Sequence, residues 1–84
     1  MAVLKFFASV KDRMGTGSME INLPQSVTLR ALMQKAAGEA NVDEAVLLNP
    51  SLLYAVNQET AGLDAAVGDA DEVAVLPPLS GGAL

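Results

Sequence analysis

The stretch Val73-Ala74-Val75-Leu76, stopped at once by Pro77-Pro78, constrains this chain more than any other. Four consecutive apolar residues with β-branched weight read as a strand, and the absence of polar alternation predicts burial on both faces, as in the centre of a sheet. A proline pair then ends it, because proline offers no N–H for the next ladder bond and fixes φ near the polyproline value. Leu79-Ser80-Gly81-Gly82-Ala83-Leu84 follows. Two adjacent glycines without Cβ atoms make a slender backbone, able to enter a channel closed to other residues. The expected organisation is one globular domain over residues 1–78 and a flexible tail over residues 79–84 that carries the Gly-Gly pair.

Upstream, the order of elements follows from periodicity. Residues 3–8 (Val-Leu-Lys-Phe-Phe-Ala) read as a strand with Leu4, Phe6 and Ala8 on one face and Val3, Lys5 and Phe7 on the other. Lys11 to Gly17 reads as a polar connection in which Gly15 and Gly17 supply positive φ. Met19-Glu20-Ile21-Asn22-Leu23 alternates strictly, which predicts Met19, Ile21 and Leu23 inward and a hairpin with the first strand. Leu29, Leu32, Met33, Ala36, Ala37 and Ala40 then recur with helical spacing behind a Thr28 N-cap. Gly38 weakens the last turn, so the helix is expected to fray near residues 39–41. Asp43 to Leu48 suits a short turn capped by Asp43. Leu52 to Val56 reads as a third strand, Asn57-Gln58-Glu59 as a turn and Thr60 to Asp64 as a short edge strand. Strand, strand, helix, strand, short strand, strand has its helix as a crossover between the first and last strands. One natural solution is an α+β fold of the β-grasp type: a mixed sheet of four to five strands around one main helix, with those two strands adjacent and parallel.

Composition narrows the chemistry. Eighty-four residues are close to the minimum for a self-sufficient core, so function belongs to an edge or terminus. Ten acidic against five basic residues give a net charge of −5, which opposes nucleic acid and favours a basic protein surface. There is no cysteine and no histidine, which removes the thiol nucleophile, the thiolate metal site and the commonest proton-transfer group. No membrane span or signal peptide is predicted, and the cytoplasm is the expected location. Asp69, Asp71 and Glu72 have the chemistry to ligate a hard cation, but three acids in one turn read as an ordinary solvated turn. Lys11, Arg13, Arg30 and Lys35 read as solvated charges rather than a recognition patch.

Val-Leu-Lys-Phe-Phe-Ala at 3–8, Leu-Leu-Tyr-Ala-Val-Asn at 52–57 and above all Gly-Asp-Ala-Asp-Glu-Val-Ala-Val-Leu-Pro-Pro-Leu-Ser-Gly-Gly at 68–82 resemble the MoaD/ThiS family of ubiquitin-like sulfur carriers, with the MoaD branch nearest. Ala70 departs from the usual glycine of that pattern. The resemblance implies a protein co-substrate and no intrinsic enzyme. A MoeB/ThiF-like activating enzyme would adenylate the carboxylate of Gly82 with ATP and Mg²⁺, and sulfur would replace the adenylate to give a thiocarboxylate. No cofactor would be bound by the carrier itself. Because Ala83-Leu84 follow Gly82, the resemblance further implies trimming between Gly82 and Ala83, by a metallopeptidase of the JAMM type. Gly81, Leu79, Pro77, Pro78 and Phe7 are the residues implied to meet partners. Acceptors left open are a MoaE-like subunit in molybdopterin synthesis and enzymes of amino-acid, thiamine or other sulfur metabolism. From another class, a ubiquitin-like interaction domain without sulfur chemistry shares the fold.

Overall fold

The computed structural model describes residues 1–78. Its elements are β1 (Ala2–Phe6), α1 (Ala8–Met14), β2 (Ser18–Ile21), β3 (Val27–Thr28), α2 (Leu29–Ala40), a 3₁₀ turn (Glu44–Val46), β4 (Leu53–Val56), β5 (Glu59–Thr60), β6 (Ala66–Val67) and β7 (Glu72–Leu76). The main sheet has five strands in the order β2-β1-β7-β4-β5, and β3 pairs with β6 in a separate two-stranded ribbon. β1 and β7 run parallel, with Leu4 opposite Val73 and Phe6 opposite Val75. β2 and β4 flank this pair antiparallel. This is the expected β-grasp, and β7 occupies its centre.

One face of the sheet carries the core. Ala2, Leu4, Phe6, Ile21, Tyr54, Val73 and Val75 are buried there together with Leu29, Leu32, Met33, Ala36 and Ala37 of α2. Thr28 caps α2 as its spacing predicts: the threonine hydroxyl accepts from the Ala31 N–H at 3.1 Å. The helix continues through Gly38 to Ala40 and closes on Asn41 in the left-handed region, whose N–H reaches the last carbonyls. Asp43 caps the 3₁₀ turn through the Ala45 N–H.

Several expectations are corrected. The first strand ends at Phe6, and α1 takes up Ala8 and runs through the first four residues of the expected polar connection, Lys11 to Met14. Val10 and Met14, four residues apart, form a buried stripe that holds this helix on the body. Ala8 consequently leaves the core face, is exposed and takes φ of +52°. Gly15 has the expected positive φ, +77°, as the left-handed cap of α1, whereas Gly17 does not share it. The turn after β4 is two residues, Asn57-Gln58, and Glu59 already belongs to β5. That edge strand covers only Glu59–Thr60, because the chain then turns to bring Ala66–Val67 against Val27–Thr28. β7 is buried on one face only: Val73 and Val75 point into the core, while Glu72, Ala74 and Leu76 are half-buried on the other. The small Ala74 and the absence, among the described residues, of a helix above that face give an apolar strand one open side.

Candidate functional site

Where β7 ends decides what the fold can present. Leu76 pairs with Leu53 at the start of β4, and on the other side the Phe7 N–H donates to the Val75 carbonyl at 3.3 Å. Residues Pro77 and Pro78 therefore leave the sheet between Phe7 and Leu53; Pro77 is half-buried and Pro78 exposed. These flanking side chains are unusual. Phe7 is 43% exposed and Leu53 50%, and Met1 is the single other large hydrophobic residue so exposed among the described residues. Register parity explains both. Leu53 alternates with buried Tyr54, and Phe7 follows buried Phe6, so each falls on the face opposite the core.

The open face has an apolar middle and a charged margin. Ala74 lies between Lys5 and Ala55, Leu76 beside Leu53, and Val3 opposite Glu20. Lys5 and Glu72 form a 2.9 Å ion pair across β1 and β7. An apolar centre with a polar rim is the usual anatomy of a protein interface.

At the other end of β7 the acids are engaged with the protein itself. Asp69 accepts from the Leu23 N–H at 2.8 Å and pairs with the Met1 amine at 3.1 Å. Asp71 accepts from the Gly68 N–H at 2.7 Å and the Asn57 amide at 2.9 Å, while Asn57 in turn accepts from the Glu72 N–H. These donors hold both aspartates below the ordinary carboxylate range, the backbone N–H being the larger cause in each case. The acids thus tie the turn before β7 to β4 and to the start of the chain. Among the described residues no group of three or more acids is arranged to hold a metal ion.

Of the residues singled out in the sequence, Phe7, Pro77 and Pro78 come together at the end of β7. Leu79, Gly81, Gly82 and Ala83 lie outside the described residues. Leu53 was missed as a site residue, although its parity with Tyr54 signalled it. Arg13 was set aside as solvated, yet it lines a cleft of about 220 Å³ between α1 and the segment before β4.

A mixed sheet curled around one principal helix, its central strand ending between exposed Phe7 and Leu53, defines a ubiquitin-like β-grasp protein. The chain belongs to the ThiS family, which matches residues 4–82. It is 37% identical over 82 residues to the molybdopterin synthase sulfur carrier subunit of Escherichia coli, covering 98% of this chain and all of that one. SAMP1 from Haloferax volcanii has the same fold, with a TM-score of 0.79 at 22% identity over 95% of this chain and 97% of the other. A structure of the complex of subunits 1 and 2 of the molybdopterin-converting factor from Helicobacter pylori contains a chain that matches with a TM-score of 0.60 at 20% identity, covering 95% of this chain and 96% of that one. No helix among the described residues is long and apolar enough to cross a membrane.

Proposed function

We propose that this protein is a sulfur carrier of molybdopterin synthesis whose working group is the α-carboxylate of Gly82, exposed by removal of Ala83-Leu84. The observation that carries the reading is the extent of the family match, which runs to Gly82 and leaves Ala83-Leu84 outside. In the first step a carboxylate oxygen attacks the α-phosphorus of ATP and pyrophosphate departs. A sulfide-level nucleophile from the sulfur donor then attacks the acyl carbon, the bond to AMP breaks, and a thiocarboxylate is left with no net change of oxidation state. A MoeB/ThiF-like enzyme supplies the nucleotide site and Mg²⁺, and the carrier supplies an acyl group on a narrow arm. The fold's part is to hold Pro77 and Pro78 at a fixed exit beside Phe7 and Leu53. The acceptor is a MoaE-like subunit, a choice favoured by the name of the 37% identical relative.

Trimming is assigned to a JAMM-type metallopeptidase. Intact-mass spectrometry tests both steps. The chain ending at Gly82 should gain sulfur in place of one oxygen when supplied with the activating enzyme, ATP and a sulfur donor, and the untrimmed chain should not. A trimmed chain that never acquires sulfur would leave the protein an interaction domain. Gly82→Val in the trimmed chain should abolish the reaction with the fold intact, because a β-branched residue widens the arm and restricts φ.

A further inference from the structure

The cleft around Arg13 lies beside the same exit. Antiparallel pairing of Leu76 with Leu53 directs Pro77 and Pro78 toward the segment before β4, which contains Ser51 and Leu52. Those two residues form one wall of the cleft; Ser9, Val10 and Arg13 of α1 form the other, and Val46 and Asn49 complete the lining. Phe7 and Leu53 lie within two residues of these walls in sequence.

Its chemistry has one sign. None of the lining residues is acidic, in a chain with ten acids. Lys5 and Arg30 have carboxylate partners, Glu72 and Asp64, whereas Arg13, like Lys11 and Lys35, has none among the described residues, and of these three Arg13 alone lines this cleft. Asn49 commits its carbonyl oxygen to the Ser51 N–H and hydroxyl, at 2.9 and 2.7 Å, which leaves its amide hydrogens for an incoming acceptor. The Ser9 hydroxyl has no protein partner among the described hydrogen bonds. Arg13, Asn49 and Ser9 thus line one acid-free recess, each at least partly open to an incoming acceptor. Val10, Val46 and Leu52 give that recess an apolar floor, where a charge-assisted bond is stronger than on open surface.

We propose that this cleft receives an aspartate or glutamate side chain of the protein that takes up the C-terminal arm, and that Arg13 is the contact that fixes the partner's orientation. The inference rests on the carrier reading, because the position of the cleft beside the arm's exit is what selects a protein carboxylate over a free anion. With a net charge of −5 the carrier draws in a basic surface, and such attraction is poorly directional. One carboxylate in the partner, matched to one cationic recess here, adds the register. Wrong dockings would face the surrounding acids with a carboxylate and be rejected.

The test measures association of the trimmed carrier with its cognate activating enzyme and with the larger synthase subunit. Wild type, R13Q and R13E are compared by stopped-flow and calorimetry across a range of ionic strengths, with thermal melts as a folding control. R13Q should weaken at least one complex several-fold and R13E on the order of tenfold, mostly through the association rate at low salt, with unchanged melting. R13K treated with a carbodiimide in the complex should form a zero-length crosslink from position 13 to a partner carboxylate, located by peptide mass mapping. Normal binding by wild type with R13E equally tight for both partners, or no crosslink from position 13, removes the role of the cleft and leaves the carrier reading untouched. A wild-type chain that binds neither partner overturns both. Tight binding of inorganic phosphate to the free carrier, lost in R13Q, would assign the cleft to a small anion and overturn a protein carboxylate.

Discussion

Tyr54→Phe removes one oxygen from the core and has two separate consequences. The tyrosine is 7% exposed and its hydroxyl donates to the Leu47 carbonyl at 2.7 Å, while Leu47 itself is 0% exposed. Water cannot take over that carbonyl without opening the packing between the 3₁₀ turn and β4. The variant should therefore lose about 1–3 kcal/mol, the cost of a buried acceptor left without a donor. For a domain of this size each kcal/mol moves Tm by about 4–8 °C, well within the resolution of calorimetry. The second consequence is alkaline. Burial raises the Tyr54 pKa, so the folded state keeps the proton that the unfolded state releases. Stability from this group is complete below the unfolded value of about 10 and is lost as pH rises through the folded value. The chain has one tyrosine and no tryptophan, so tyrosinate absorbance reports Tyr54 alone, in buffer and in denaturant. A single titration midpoint common to both conditions, together with a Tyr54→Phe melt equal to wild type, would refute the reasoning.

Three further outcomes are expected. Gln58→Gly should raise stability by about 1 kcal/mol in urea unfolding, because Asn57 and Gln58 both have positive φ, +50° and +72°, and a side chain at the second turn position is strained there. Stability should fall as pH drops below about 4 and through the lowered folded values of Asp69 and Asp71, since depressed carboxylates stabilise only while ionised; Asp71→Asn should shallow that fall in a pH series of urea melts. Leu53→Ser should leave Tm within a few degrees of wild type, being half exposed, while weakening the complex with the larger subunit in calorimetry.

The sheet and α2 were legible because their signals are local and repeated: alternation at Met19 to Leu23 and a six-residue apolar stripe behind a threonine cap. α1 was not. Seven residues carry only two inward apolar positions, Val10 and Met14, and Lys11, Asp12 and Arg13 between them read as a loop. The β3–β6 ribbon was invisible for another reason. Two-residue strands have no period, and their pairing joins residues about forty positions apart. Central position and burial on both faces were conflated for β7, since Ala74 is apolar by composition yet sits on the open side. At the site, Phe7 could be placed from parity alone. Arg13 could not, because the recess around it is made by residues 9–13 and 46–52 together and exists only once α1 has formed.

The parallel pairing of β1 with β7 has a consequence for synthesis. Among the described strands β7 is the last in chain order, made after all its partners, and it is the middle strand of the sheet. Until it is added, β2-β1 and β4-β5 are two separate ribbons, each with a bare edge and no shared ladder. Such pairs are marginal alone in water. A chain interrupted anywhere before Glu72 would thus lack both the completed body and the segment that follows it. The element that completes the sheet is the same one that leads into Pro77 and Pro78. Partners that recognise Phe7 and Leu53 across that last strand would be inspecting assembly as well as identity.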